Sequence, residues 1–332
     1  MRHARLTVDL DALAANYRTF RARAPDGAAA VVKADAYGLG MNPVAARLAS
    51  EGCSRFFVAT EAEGLALRET LAADCDIFVF SGEVSAAGLV PVANQPSQLR
   101  AGPVALHVDT GMQRLGFAPE DVPDHAEVVL LLTHLACADT PDDPLNALQL
   151  ERFEAAAARF PGVPVSIANS AGILNGVRGI GRPGIGLYGG NPYSGRDNPM
   201  RCVATLEGQV LQVRQVPAGE SVGYGASRVV TRDTTLAVVG AGYADGVPRL
   251  LSNRGEVAFR GVRLPILGRV SMDLTQVDAT EVAIEPGDWV EFFGPTVGVD
   301  EVAAWSETIA YEVLTGIGRR VERRYPATAV GV

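Results

Sequence analysis

Ala28-Ala29-Ala30-Val31-Val32-Lys33, continuing as Ala34-Asp35-Ala36-Tyr37-Gly38-Leu39-Gly40, is the stretch on which the fold is read. It is a short apolar run that leaves the turn Pro25-Asp26-Gly27 and ends on a charge. Runs of the same kind recur at residues 56–59, 77–80, 104–108, 128–132, 165–168 and 185–188, with a weaker one at 90–93. Most are apolar throughout rather than alternating, as expected of strands covered on both faces in a parallel sheet. Helical patterns lie between them. Leu10, Leu13, Tyr17 and Phe20 recur at helical spacing behind Asp9 or Asp11 as cap. Asp143-Pro144 supplies a cap and first-turn proline to Leu145, Leu148, Phe153, Ala156 and Phe160. Such α/β alternation predicts either a (β/α)8 TIM-type barrel or a doubly wound sheet.

The texture changes after Gly189-Gly190-Asn191-Pro192. Val257 and Phe259 alternate, as do Val262, Leu264 and Ile266, with Arg260-Gly261 between the two segments. Pro286-Gly287-Asp288 precedes Trp289-Val290-Glu291-Phe292. The pattern predicts a mainly antiparallel β domain, interrupted by one helix with Val302, Ile309 and Val313 on one face. A chain of 332 residues has room for about two domains. We therefore expect a barrel over residues 9–195 and a β domain over 196–332, joined by an N-terminal strand within residues 1–8.

Composition excludes several function classes. Hydrophobic residues make up 48% and charged residues 20%, a globular balance. The net charge is −9 and no basic block stands out, which argues against nucleic-acid binding. No apolar run approaches a membrane span, and Asp9 interrupts the N-terminus too early for a signal peptide. Cys53, Cys75, Cys137 and Cys202 show neither disulfide nor metal-ligand spacing, so no metal is expected. A cytoplasmic protein is the expectation.

Of the 29 basic residues, 28 are arginine and one is Lys33. Arginine can replace lysine as a solvated charge, but not as an amine that deprotonates and attacks a carbonyl. Lys33 could be a leftover surface charge. It also stands at the carboxyl end of an apolar strand, where barrel enzymes collect their chemistry and where burial frees the amine. Late in the barrel, Ser170 follows the run 165–168, and Gly181-Arg182-Pro183-Gly184-Ile185-Gly186 is rich in small residues. Any one glycine-rich loop can be a plain turn. A strand-end lysine combined with late loops whose backbone N–H groups are open to an anion is the layout that pyridoxal 5'-phosphate (PLP) needs.

These motifs resemble those of the alanine racemases, the fold-type III PLP-dependent amino-acid racemases. Val31–Gly40 is similar to the family's PLP-lysine motif, and Val108-Asp109-Thr110-Gly111-Met112-Gln113-Arg114 to its arginine loop. Arg182-Pro183-Gly184-Ile185 is similar to its pyridine-nitrogen and phosphate segment. Gly223-Tyr224-Gly225, Gly242-Tyr243-Ala244-Asp245-Gly246 and Gly268-Arg269-Val270-Ser271-Met272-Asp273 resemble its C-terminal motifs, all in the family's order. The resemblance implies two-base interconversion of L- and D-alanine, supplying D-alanine for the cell wall. It further implies a homodimer with shared active sites. Lys33 would serve one face of the substrate Cα and Tyr224 the other. An ordinary tyrosine titrates near roughly pH 10, so such a base needs positive neighbours, here a chain through His134 and Arg182. Arg182 would also face the pyridine nitrogen, where it cannot accept a proton. Tyr37, Ser170, Gly184 and Ile185 would hold the phosphate. Arg114 would steady the substrate or Tyr224, the Met272 backbone N–H would bind the substrate carboxylate, and Tyr243 and Asp273 would line the channel mouth.

The chain departs from that pattern at four positions. Leu39 replaces a histidine, and His107 a lysine that is often carbamylated. Ser166 replaces another histidine, and Arg319 a phosphate-binding tyrosine. The segment 81–92 is also short. Rival readings are a racemase of the same fold for serine or a basic amino acid, a PLP decarboxylase, which Arg182 disfavours, and a PLP carrier, which would not need the β domain.

Overall fold

The computed structural model describes residues 3–326. The chain divides into two compact units, Asp11–Arg201 and a second that combines the N-terminal strand β1 (Ala4–Val8) with the chain from Cys202 onward.

In the first unit, seven strands pair in parallel and in chain order. They are β2 (Ala30–Val31), β3 (Arg55–Val58), β4 (Asp76–Val79), β5 (Val90–Ala93), β6 (Val104–His107), β7 (Val128–Leu132) and β8 (Val165–Ser166). Apolar runs become parallel strands here because helices cover the outer face and side chains fill the inside. Phe56, Phe57, Leu106 and Leu131 are fully buried. Phe57 stacks against Phe78 and Phe80, with centroids 4.8 and 5.0 Å apart. The weak run Val90–Ala93 is a strand, pairing with β4 through Val90 and Pro91 and with β6 through Val92 and Ala93.

Ile185–Tyr188, read above as a strand, is instead a 3-10 helix. Pro183 has no N–H to give a ladder. Gly186 leaves no room for a side chain, since a Cβ there would stand 2.5 Å from the Phe20 ring. The barrel is closed by residues 181–183. Gly181 donates to the Gly27 carbonyl, and Ala29 and Val31 donate back to Gly181 and Pro183. On the other side Arg182 donates to the Ala168 carbonyl. The helix Pro144–Ala157 starts where the sequence placed it, with the Asp143 side chain accepting from the Leu145 N–H at 2.8 Å. Phe153 and Ala156 are buried on it, whereas Leu148 is exposed.

In the second unit, the long strand β9 (Ala204–Val216) is the spine. Antiparallel to it lie β1, β12 (Thr234–Val239) and β16 (Trp289–Phe293). β17 (Glu322–Arg324) adds to β1 in parallel. β13 (Glu256–Phe259) and β14 (Val262–Pro265) form the expected hairpin, turning through Arg260 and Gly261, both at positive φ. β15 (Thr275–Asp278) pairs with β12. A separate two-stranded ribbon, β10 (Ser221–Val222) with β11 (Arg228–Val229), holds Tyr224 in its connection. The helix anticipated through Val302, Ile309 and Val313 is two short helices, Val299–Trp305 and Ala310–Thr315. Glu307 takes a positive φ between them and leaves Ile309 exposed. Among the described residues no helix is long and apolar enough to cross a membrane.

Candidate active site

Lys33 leaves β2 at its carboxyl end and is followed by an uncommon backbone. Ala34, Asp35, Ala36 and Tyr37 all have φ between 52 and 57°, a full turn of left-handed helix. Each such residue costs about 1–2 kcal/mol for an L-amino acid. The turn is held by its own hydrogen bonds: Ala36 N–H to Val32, Gly38 to Ala34, and Gly40 to Asp35. The Asp35 carboxylate also accepts from the Met41 N–H at 2.7 Å. The Lys33 amine lies 5.7 Å from the centroid of the Phe80 ring. Burial and then the Arg114 charge push its pKa below the usual lysine value, with Glu63 acting in the opposite sense. That is the direction a nucleophilic or basic amine needs.

The turn aims Tyr37 across the barrel end. Its ring stacks on Tyr188 with centroids 4.6 Å apart, and Tyr188 donates to the Val31 carbonyl at 2.7 Å. A Cβ on Gly184 would stand 2.5 Å from the Tyr37 hydroxyl, so only glycine admits this approach. The Ser170 hydroxyl accepts from the N–H groups of Gly184 and Gly186 at 3.0 and 3.3 Å. Tyr37, Ser170, Gly184 and Ile185 thus converge on one small region rich in hydroxyls and backbone N–H groups. Its missing Cβ and its donors suit a phosphate.

Arg182 is buried among neutral acceptors. It donates to the Ser166 carbonyl and hydroxyl at 2.7 and 2.5 Å, and to the Thr133 carbonyl at 2.5 Å. Burial lowers its pKa to about 10, still far above neutrality, so it remains a cation. The Ser166 hydroxyl donates to the Ile180 carbonyl at 2.6 Å, which leaves its lone pairs for Arg182. A serine thus does the holding where the family pattern has a histidine. Arg182 also reaches His134 Nδ1 at 3.4 Å, and since arginine only donates, that nitrogen is the acceptor. Burial and the charges of Arg182 and Arg114 push the His134 pKa to about 3. The ring is neutral and carries its proton on Nε2.

Arg114 ends a loop built around one carboxylate. Asp109 accepts the N–H groups of Gly111, Met112, Gln113 and Arg114 at 2.8–3.1 Å. The loop is pinned from the helix Pro144–Ala157, where the fully buried Gln149 donates to Thr110 Oγ1 and to the His134 carbonyl. Arg152 on the same helix donates to the Thr110 carbonyl at 2.9 Å. Gln149 had no signal in the sequence: a lone polar residue on an amphipathic helix reads as solvent-facing, and only the packing shows that it joins two strand ends.

His107 is fixed by an amide. Asn94 uses its NH2 group on the carbonyls of Phe80 and Val92 at 3.0 and 2.8 Å, so its oxygen must face His107 Nδ1 at 2.8 Å. That nitrogen therefore bears the proton and Nε2 keeps a lone pair. Burial, then the Arg182 charge, lowers the His107 pKa to about 4. With the folded value below the unfolded one of 6.5, the stability it contributes is present above pH 6.5 and is lost as pH falls through about 4. We expect 15N spectra of histidine-labelled protein to show His107 as the uncharged Nδ1–H tautomer down to about pH 5. A charged ring at pH 6 would contradict the arrangement.

The second unit gathers its own cluster. Tyr224 lies between Gly223 and Gly225, both at positive φ, and is 70% exposed. A Cβ on either glycine would press on Arg269, at 3.3 and 3.1 Å. Tyr243 and Ala244 donate to the carbonyls of Ser271 and Met272, both at 3.0 Å. Arg320 clamps Asp245 and Asp273 together, at 2.7 and 2.6 Å. Tyr224, Tyr243, Met272 and Asp273 are thereby held on neighbouring loops. Arg320 was not singled out in the sequence, because its partners lie 75 and 47 positions upstream.

A parallel barrel with a strand-end lysine, a phosphate-suited loop and an arginine facing inward defines the class of barrel enzymes that use PLP. Residues 8–192 match the alanine racemase N-terminal domain and residues 203–325 the alanine racemase C-terminal domain. The chain is 47% identical to the alanine racemase of Rhodospirillum rubrum, over 99% of this chain and 97% of that one. It is 46% identical to a catabolic alanine racemase of Rhizobium johnstonii, over 96% and 94% of the two chains. A biosynthetic one of Agrobacterium fabrum is 45% identical over 97% and 93%. Among solved structures, the Bartonella henselae alanine racemase with covalently bound pyridoxal phosphate superposes with a TM-score of 0.91 at 38% identity, covering 98% of this chain and all of that one. This chain belongs to the alanine racemase family.

Proposed function

We propose that the protein interconverts L- and D-alanine with PLP held on Lys33. The observation that carries this reading is the sole lysine of the chain, set at the carboxyl end of β2 with its pKa lowered, beside the loops of Ser170, Arg182 and Gly184. The residues present fit the cofactor: a Cβ-free approach at Gly184 and converging hydroxyl and backbone donors for the phosphate, with a buried arginine nearby. When bound, PLP delocalises the electron pair left at Cα as its proton departs. Tyr37, Ser170, Gly184 and Ile185 would hold the phosphate. Arg182, which can only donate, would leave the pyridine nitrogen unprotonated and the electron sink weak. A weak sink would limit side reactions.

Lys33 exchanges the proton on the D-face of Cα and Tyr224 on the L-face. His134, neutral and held by Arg182, conveys the positive field that lowers the cost of a tyrosinate. Arg114, on the loop gathered by Asp109, and the Met272 backbone orient the substrate, with Tyr243 and Asp273 at the channel mouth. The working form is a homodimer in which each site takes Tyr224 from the second copy. The exposure of Tyr224, Tyr243 and Met272, at 70, 44 and 53%, supports a covered surface there. We place the reaction in the cytoplasm. Catabolic and biosynthetic relatives match almost equally well, so the similarity favours neither physiological direction.

Chiral chromatography of L-alanine incubated with the protein and PLP should show D-alanine approaching an equal mixture, with serine and basic amino acids turned over far more slowly. Borohydride reduction of the loaded protein, followed by peptide mapping, should place pyridoxyl on Lys33. Active enzyme with no pyridoxyl at Lys33 would overturn the assignment.

A further inference from the structure

The left-handed turn that follows Lys33 is also held from outside itself, at its first residue. Glu63 lies in the first turn of the helix Glu61–Arg68, which begins just beyond β3. One of its carboxylate oxygens accepts from the N–H groups of Ala59 and Thr60 at 2.7 and 3.3 Å, while Thr60 Oγ1 accepts from the Glu63 N–H at 3.3 Å. That pair is a capping box and would by itself be structural. The other oxygen does something a cap does not need. It accepts from the N–H of Ala34 at 2.8 Å, the first residue of the strained turn and the immediate neighbour of Lys33.

We propose that Glu63 is a positioning residue for Lys33: its carboxylate struts the ends of β2 and β3 together and so fixes where the Lys33 amine is presented. The inference rests on the reading of Lys33 given above. A left-handed turn of four successive non-glycine residues is strained at every residue. It persists only where its surroundings hold it. Both oxygens of Glu63 are used as acceptors on opposite sides. An amide offers one acceptor and one donor, so Glu63→Gln can satisfy the cap or Ala34, but not both. The anion also opposes the effect of burial and Arg114 on the Lys33 ammonium. Its loss therefore alters both the placement and the electrostatics of one catalytic face.

Two variants separate the strut from the cap. Glu63→Gln keeps a residue that serves in capping boxes and should melt within a few degrees of wild type. In heavy water, its exchange of the α-hydrogen of D-alanine, the face given to Lys33, should fall about tenfold. Exchange from L-alanine should change less than twofold. The visible circular dichroism of the PLP-loaded protein, which reports how rigidly the cofactor is held, should lose a large part of its amplitude. Thr60→Ala removes the cap hydroxyl and leaves the Ala34 bond. It should lower the melting temperature by several degrees and leave both the D-to-L ratio and the dichroism unchanged. Equal slowing of both faces by Glu63→Gln, an unaltered D-face rate, or the same D-face loss in Thr60→Ala would each overturn the strut. Failure of the Lys33 assignment itself would show separately, as absence of pyridoxyl at Lys33 in reduced wild type.

Discussion

Lys33→Ala and Tyr224→Phe should each leave almost no racemisation, yet the two variants unfolded and refolded together should recover about a quarter of the wild-type activity. Random pairing of equal amounts makes half of the dimers mixed. If each site combines the Lys33 of one copy with the Tyr224 of the other, a mixed dimer has one site with both defects and one with neither. Half of the sites in half of the dimers are then intact. If both groups came from the same copy, every site would carry one defect and the mixture would stay inactive. The expectation rests on the homodimer proposed above. Lys33 belongs to the barrel unit, and Tyr224 stands exposed on the ribbon of the β unit. Activity measured against mixing ratio would also separate a dimer from larger assemblies, whose maximum recovery differs.

The second large effect concerns the two faces of Cα. Tyr224→Phe should reduce α-hydrogen exchange from L-alanine by a factor on the order of 10²–10⁴, the usual contribution of a positioned general base. Exchange from D-alanine, assigned to Lys33, should be nearly retained. Phenylalanine keeps the ring and removes only the hydroxyl, so packing around Gly223 and Gly225 is preserved. The ring is exposed at the tip of its ribbon, and the folded state therefore depends little on it. Equal losses for both enantiomers would show that Tyr224 is not the face-specific base. Loss of PLP from the variant would instead place the residue in cofactor binding.

Much of this was legible in the residues. Arg260-Gly261 marked a hairpin because its two residues take positive φ, a local demand. Asp143-Pro144 marked a helix start for the same kind of reason. The strands β3, β4, β6 and β7 were visible as apolar runs because burial on both faces leaves no polar alternation. Ile185–Tyr188 failed that test in the opposite direction. It is equally apolar, but its apolarity records burial, not extension. The barrel closes through Gly181, Arg182 and Pro183, which carry no strand signal at all.

Residue type and local spacing were enough to point to the candidate groups. A single lysine among 28 arginines singled out the candidate amine, and the order of the short motifs around Tyr37, Arg114, Arg182 and Tyr224 pointed to the family. These are properties of residue type and local spacing. The tertiary structure alone decided how those groups are held. Asn94 fixes the proton of His107, Ser166 holds Arg182, and Gln149 ties the Arg114 loop to the end of β7. Glu63 meets Ala34 from 29 positions away. Each is a hydrogen bond between segments distant in the chain. Its existence depends on strand register and closure, which no local pattern encodes, and its strength depends on burial, which only the packed fold supplies.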